Sequence, residues 1–148
     1  MKNITYALVV ILMASAPQGS PQASRTDTVW HSIVGRRAVS VVNRWNRTPL
    51  EGAYAVQVID DAGGLAVEIP LSHAHGAVSR IHQWNDRLIV IVRQQAAVID
   101  VATATVVDEF RCEFPEFSAE GRVVSCHPVS ASGDIDPNVV THELGLAQ

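Results

Sequence analysis

The chain has 148 residues, 47% of them hydrophobic, and a formal net charge of −4. That is one ordinary domain with enough apolar material for a buried core. The acid excess excludes a typical nucleic-acid binder, which needs a net basic surface to meet phosphate.

The first residues read as an export signal. Lys2, the only lysine, supplies the positive start, and the apolar run Ile4–Ala16 follows. This run is shorter than the roughly 20 residues that cross a bilayer. Ala14 and Ala16 give the small-x-small pattern of a cleavage site. Pro17 disfavours a cut directly after Ala16, so cleavage is expected later, before Arg25. Residues 1–24 then form the signal peptide and the start of a polar tether, and residues 25–148 the β-repeat domain. The competing reading of the apolar run is a buried N-terminal strand or helix. Export implies a secreted or periplasmic protein with no stable membrane span once the leader is removed. Without Lys2, ten arginines stand against fifteen acids, a net −5.

Charge is unevenly distributed along the domain. Arg25, Arg36, Arg37, Arg44 and Arg47 share their stretch with a single acid, Asp27, whereas Asp108–Glu143 holds eight acids and two arginines. Head-to-tail contact between copies is one reading, and two solvated faces are the other.

From residue 36 the sequence repeats with a period of about forty residues. Ala38–Arg47 (AVSVVNRWNR) returns 39 residues later as Ala77–Asp86 (AVSRIHQWND), and Val58–Ala62 (VIDDA) returns forty residues later as Val98–Ala102 (VIDVA). Units are drawn at 36–74, 75–111 and an incomplete 112–148, with Phe117 standing where Trp45 and Trp84 stand. The local signals are β: Val, Ile and Thr dominate. Arg87–Arg93 is an apolar run of the length of a strand buried on both faces. Asp61-Ala62-Gly63-Gly64, Asn85-Asp86 and Ala102-Thr103-Ala104 are turn signals. Each unit therefore reads as about four short antiparallel strands, the content of a propeller blade.

Val98-Ile99-Asp100-Val101-Ala102-Thr103-Ala104-Thr105-Val106-Val107 resembles the V-I-D-x-x-T-x-x-V-V core of YVTN-type β-propeller repeats. Val58-Ile59-Asp60, with Gly63, Val67, Ile69 and Pro70, is similar to the same core and its I-P ending. Phe117–Arg122 resembles the F-S-P-D-G-R turn of these propellers, with Ala119 for proline and Glu120 for aspartate. The resemblance covers roughly residues 36–127. It implies an all-β fold of antiparallel four-stranded blade-like repeats. Two and a half units are fewer than the four to eight blades of a closed propeller. The open edges that remain imply self-association, a compact sandwich-like stack, or the remnant of a longer protein.

Candidate chemistry is sparse. His73 and His75 occupy positions i and i+2, which share one face of a strand, and with His82 or Asp60 supplied by the fold they are a candidate metal site. A polar loop between units is the alternative. Asp134–Asn138 begins like a calcium loop, but Val139 replaces the loop glycine and Gly145 the bidentate glutamate. Asp60-Asp61 and Asp108-Glu109 are adjacent residues on strands, facing opposite sides, and so are poor acid/base pairs. No nucleophile elbow, phosphate loop or cofactor motif is recognised. Trp30, Trp45 and Trp84 offer an aromatic surface, although the recurrence of Trp45 and Trp84 with Phe117 favours packing between repeats. Asn46-Arg47-Thr48 matches a glycosylation triplet followed by Pro49. Cys112 and Cys126 flank a hairpin signal that brings them nearly opposite, so they form either a disulfide or two buried thiols.

The expectation is an exported, non-enzymatic interaction or scaffold module. Its partner is a protein or a second copy, and it uses neither cofactor nor nucleic acid. The competing expectations are a metal-dependent or hydrolytic enzyme built on His73 and His75, and a truncated propeller.

Overall fold

The computed structural model describes residues 24–71 and 76–145. Ten strands make up almost all of the regular structure. The first sheet is an antiparallel meander of β1 (Arg25–Val34), β2 (Arg37–Trp45), β3 (Ala53–Ile59) and β4 (Leu65–Pro70), with one 3-10 turn at Pro49–Glu51 between β2 and β3. The second contains β5 (Val78–Trp84), β6 (Arg87–Val92), β7 (Gln95–Asp100), β8 (Thr105–Phe117), β9 (Val123–Pro128) and β10 (Val140–Glu143), in spatial order β10-β9-β8-β7-β6-β5. The fold is all-β and antiparallel, and one sheet curls into a half-barrel rather than a closed propeller.

Period-two alternation decides what faces what. In the first sheet Val39, Val41, Val56 and Val58 point to one side and are fully buried there. They meet Leu88, Val90 and Val92 of β6 and Ala97 and Ile99 of β7 in one core, joined at its margin by Trp30, Val78 and Ile81. The unbroken apolar run of β6 has a second face. Ile89 and Ile91 join Ala96, Val98, Cys112, Val124, Cys126 and Leu144 in a separate core, with Trp84, Phe110 and Phe117 packed against it. Thus β6 and β7 form a middle layer between the first sheet and the β9–β10 segment. Burying each such side chain contributes about 1.5–3 kcal/mol, and the two strands with no polar residue between their ends, β6 and β7, are the ones clamped between two layers.

The third layer exists because β8 is long and bends. Its 13 residues pair with β7 over Thr105–Arg111 and with β9 from Cys112 onward. A register shift lies between Glu113 and Glu116, where Phe114 takes φ +53. Past this bulge the chain folds back over the middle layer. Cys112 and Cys126 are joined by a disulfide, with Cα atoms 5.5 Å apart. The bridge is not directly cross-strand: Pro128 stands opposite Cys112 and Val140 opposite Cys126. The two cysteines are therefore diagonal neighbours: the Ser118–Val123 turn sets a register that would place Cys112 opposite Val129, and the bulge brings it one residue nearer Cys126.

The two sequence matches fall differently on this architecture. Val58–Ala62 and Val98–Ala102 lie on the third strands of their four-stranded meanders and the turns that follow. Ala38–Arg47 runs along β2, the second strand of its sheet, whereas Ala77–Asp86 runs along β5, the first strand of the next. Trp45 and Trp84 consequently occupy unlike positions. Trp84 packs in the second core. Trp45 lies outside both cores, and its Nε1 donates to Asp27 Oδ2 at 2.6 Å while Arg25 stacks over its ring. The first sheet also begins at Arg25, ahead of the unit drawn from residue 36.

Each outermost face carries a polar row, and on the first sheet the buried Val42 and Ala55 share that face. On the first sheet His31, Ser40, Gln57 and Glu68 form a cross-strand row, and a two-pronged Arg44–Glu68 ion pair lies beside it. The Arg44 guanidinium, helped by the Gln57 amide, holds the Glu68 carboxyl down at about 2. On the third layer, the residues of β9 that alternate with Val124 and Cys126 include Ser125 and His127.

Candidate functional site

The metal candidates do not converge. His73 and His75 lie outside the described residues. Asp60 is committed to its turn, its Oδ1 accepting the N–H groups of Ala62 at 3.0 Å and Gly64 at 2.8 Å. His82 stacks on Phe117 at 4.1 Å between ring centres, with its Nε2 2.9 Å from the carbonyl of Gly121. Among the described residues no group of three His, Cys, Asp or Glu side chains is placed to hold a metal ion. In the stretch that begins like a calcium loop, Asp136 Oδ1 accepts from the backbone N–H and side-chain amide of Asn138, and Asp134 accepts from Ser132. These contacts build two local turns rather than a shared cage.

What the fold brings together is a different set of side chains. A cleft of about 360 Å³ opens between β8 and β10, lined by Val98, Val107, Asp108, Thr141, His142, Glu143 and Leu144. Val98 and Leu144 carry it down to the second core. Among the described residues, those of β10 pair with β9 alone, and the β8 residues beside them pair with β7 alone. Each border of the cleft is therefore a strand with one side unpaired.

His142 holds the two borders together. Its ring lies flat on Phe110, with centres 3.6 Å apart and planes within 3°, and its Nδ1 is 4.0 Å from Asp108 Oδ2. Burial lowers its pKa, and the Asp108 charge opposes this. The neutral imidazole is thus the form that suits the stack. Glu143 is paired with Arg122 at 3.1 Å. Asp108, about half exposed, is the carboxylate that faces the cleft with only a distant basic neighbour. The arrangement can present backbone donors and acceptors and a negative charge to an extended chain. It does not set a nucleophile against a base.

Sequence reasoning passed over this site. Asp108 was legible only as half of an adjacent acid pair, and Glu143 only as the last acid of the acid-rich stretch. Val107 and Thr141 meet because β8 bends, and no local signal in the sequence marks that bend except the Phe114-Pro115 pair.

The fold and cleft together define an all-β, antiparallel, propeller-like half-barrel with open strand edges. No protein-family model, curated protein or solved structure matches the chain.

Proposed function

We propose that this chain is an exported, non-enzymatic interaction module that engages other polypeptides through its open strand edges. The observation that supports it most is the cleft between β8 and β10, bordered by β10 and by the Thr105–Arg111 part of β8, each paired on one side only among the described residues. Unpaired edges are templates for adding a further strand. Export is supported by the Lys2–Ala16 leader pattern and fits the disulfide. The blade-like reading of the repeats rests on the V-I-D segments and their equivalently placed hairpins.

Selection of a displayed library of random peptides against the purified chain tests the reading. The expected result is a convergent family of extended sequences bound by backbone pairing. If no peptide is selected, and stoichiometric zinc stays with the protein through gel filtration, the module reading is replaced by a metal-dependent one centred on His73 and His75.

A further inference from the structure

The two borders of the cleft can be resolved to individual backbone groups. Leu144 N–H donates to Arg122 O at 2.8 Å, which fixes the alternation along β10. His142 and Val140 turn their amide groups toward β9, and Thr141 and Glu143 turn theirs outward. On the opposite border Cys112 N–H donates to Gln94 O at 2.8 Å. The same alternation turns Phe110 and Asp108 toward β7 and leaves the backbone of Glu109 facing away from it. Pairing of β8 with β9 begins only at Cys112. Between these edges lie an apolar floor of Val98, Val107 and Leu144 and the carboxylates of Asp108 and Glu143.

We propose that the cleft accepts an extended segment of a different polypeptide as an added strand, with an arginine or lysine of that segment over Asp108. This rests on the interaction-module reading and names its surface and partner chemistry. Charge complementarity selects the occupant: the cleft is lined by the carboxylates of Asp108 and Glu143, and of these Glu143 is matched by Arg122. A second copy is a poor fit, because the strand-borne arginines of this chain are already engaged. Arg25 lies over Trp45 and Arg80 over Phe117. Arg37 reaches Val101 O, Arg44 pairs with Glu68, Arg87 with Asp100, and Arg111 reaches Ser130 O. Arg36, Arg47 and Arg93 sit in turns and loops rather than on strands.

The test uses a fluorescent peptide of alternating valine and threonine with one central arginine, compared with the same peptide carrying a central glutamate. By anisotropy the arginine peptide is expected to bind about ten-fold tighter than the glutamate peptide. Thr141→Pro removes an outward amide from an edge strand, where proline is tolerated, and is expected to weaken binding about ten-fold or more. Asp108→Asn, which leaves the backbone intact, is expected to erase the preference for arginine while binding persists. His31→Pro serves as the comparison, since the Val34–Arg37 turn register places His31 on the free edge of β1. Loss of binding in His31→Pro with Thr141→Pro unaffected overturns this site but leaves the module reading standing. Self-association abolished by Thr141→Pro overturns the choice of a foreign partner. Peptide binding at no edge overturns both readings.

Discussion

Gly121 shows how one residue can fix the junction of two layers. It stands at φ +73 in the turn between β8 and β9, and a Cβ there would lie 2.5 Å from His82 Nε2. Both the backbone conformation and the space therefore require glycine. Gly121→Ala is expected to destabilise the fold by roughly 2 kcal/mol or more, read as a lower urea midpoint, together with loss of the His82 contact. The turn itself was legible in Phe117–Arg122. Its landing on a histidine 39 residues earlier was not, because that contact depends on the fold-back of β8. His142 gives a second expectation at this scale. Its pKa is lowered by burial, with Asp108 pulling the other way, so the unfolded chain binds the proton more readily than the folded one. Stability then rises with pH across the interval below the ordinary histidine value of 6.5, and the contribution is lost as the pH falls through it. The thermal midpoint is expected to drop between pH 7.5 and 5.5 by more in the wild type than in His142→Phe, which keeps an aromatic ring on Phe110. Equal drops would mean that His142 is not the group responsible.

At the scale of elements, the hairpin turns account for what was and was not readable. Asp60 and Asp100 stand forty residues apart and do the same work: each side chain accepts backbone N–H groups of its own turn, from Ala62 and Gly64 in one case and from Thr103 at 3.0 Å in the other. That shared local chemistry is why the V-I-D segments matched in the sequence and also lie on equivalent hairpins. Asp60→Ala should cost about 1 kcal/mol, with Asp60→Asn recovering most of it, as measured by urea denaturation. A loss in Asp60→Asn as large as that in Asp60→Ala would show that charge, rather than turn capping, matters there. Gly35 and Asn85 open two-residue turns with positive φ, as their residue types announce. Arg93 does the same at φ +55 without any such announcement, so the boundary between β6 and β7 was visible only as the end of an apolar run. The misleading match was Ala38–Arg47 with Ala77–Asp86. Both segments alternate apolar and polar residues and end in tryptophan and asparagine, which suits a strand leading into a turn in either the first or the second position of a meander.

For the whole molecule, the two separate cores make a testable division. One core joins the first sheet to β6 and β7, and the other joins β6 and β7 to the fold-back. The first joins β1–β4 to β6 and β7, and the apolar alternation of those strands made its members legible from pattern. The second depends on a bend that the sequence marks only by the Phe114-Pro115 pair, and on the Cys112–Cys126 bridge. That bridge closes a loop with a sequence separation of 14, for which constraint of the unfolded chain corresponds to about 2–3 kcal/mol. Replacing both cysteines by serine also places two hydroxyls in a buried apolar setting, so the loss should reach at least this size. The consequence should be uneven in space. Amide exchange is expected to accelerate most in β9 and β10, where Val124 and Leu144 lose their clamp, and least in β2 and β3, whose core does not include either cysteine. Because β10 is one border of the cleft, the double variant should also bind the arginine peptide more weakly while the first sheet stays folded. Uniform acceleration across all strands would instead mean that the two cores unfold as one unit, and the fold-back would then be a condition of folding rather than a separable layer carrying the binding edge.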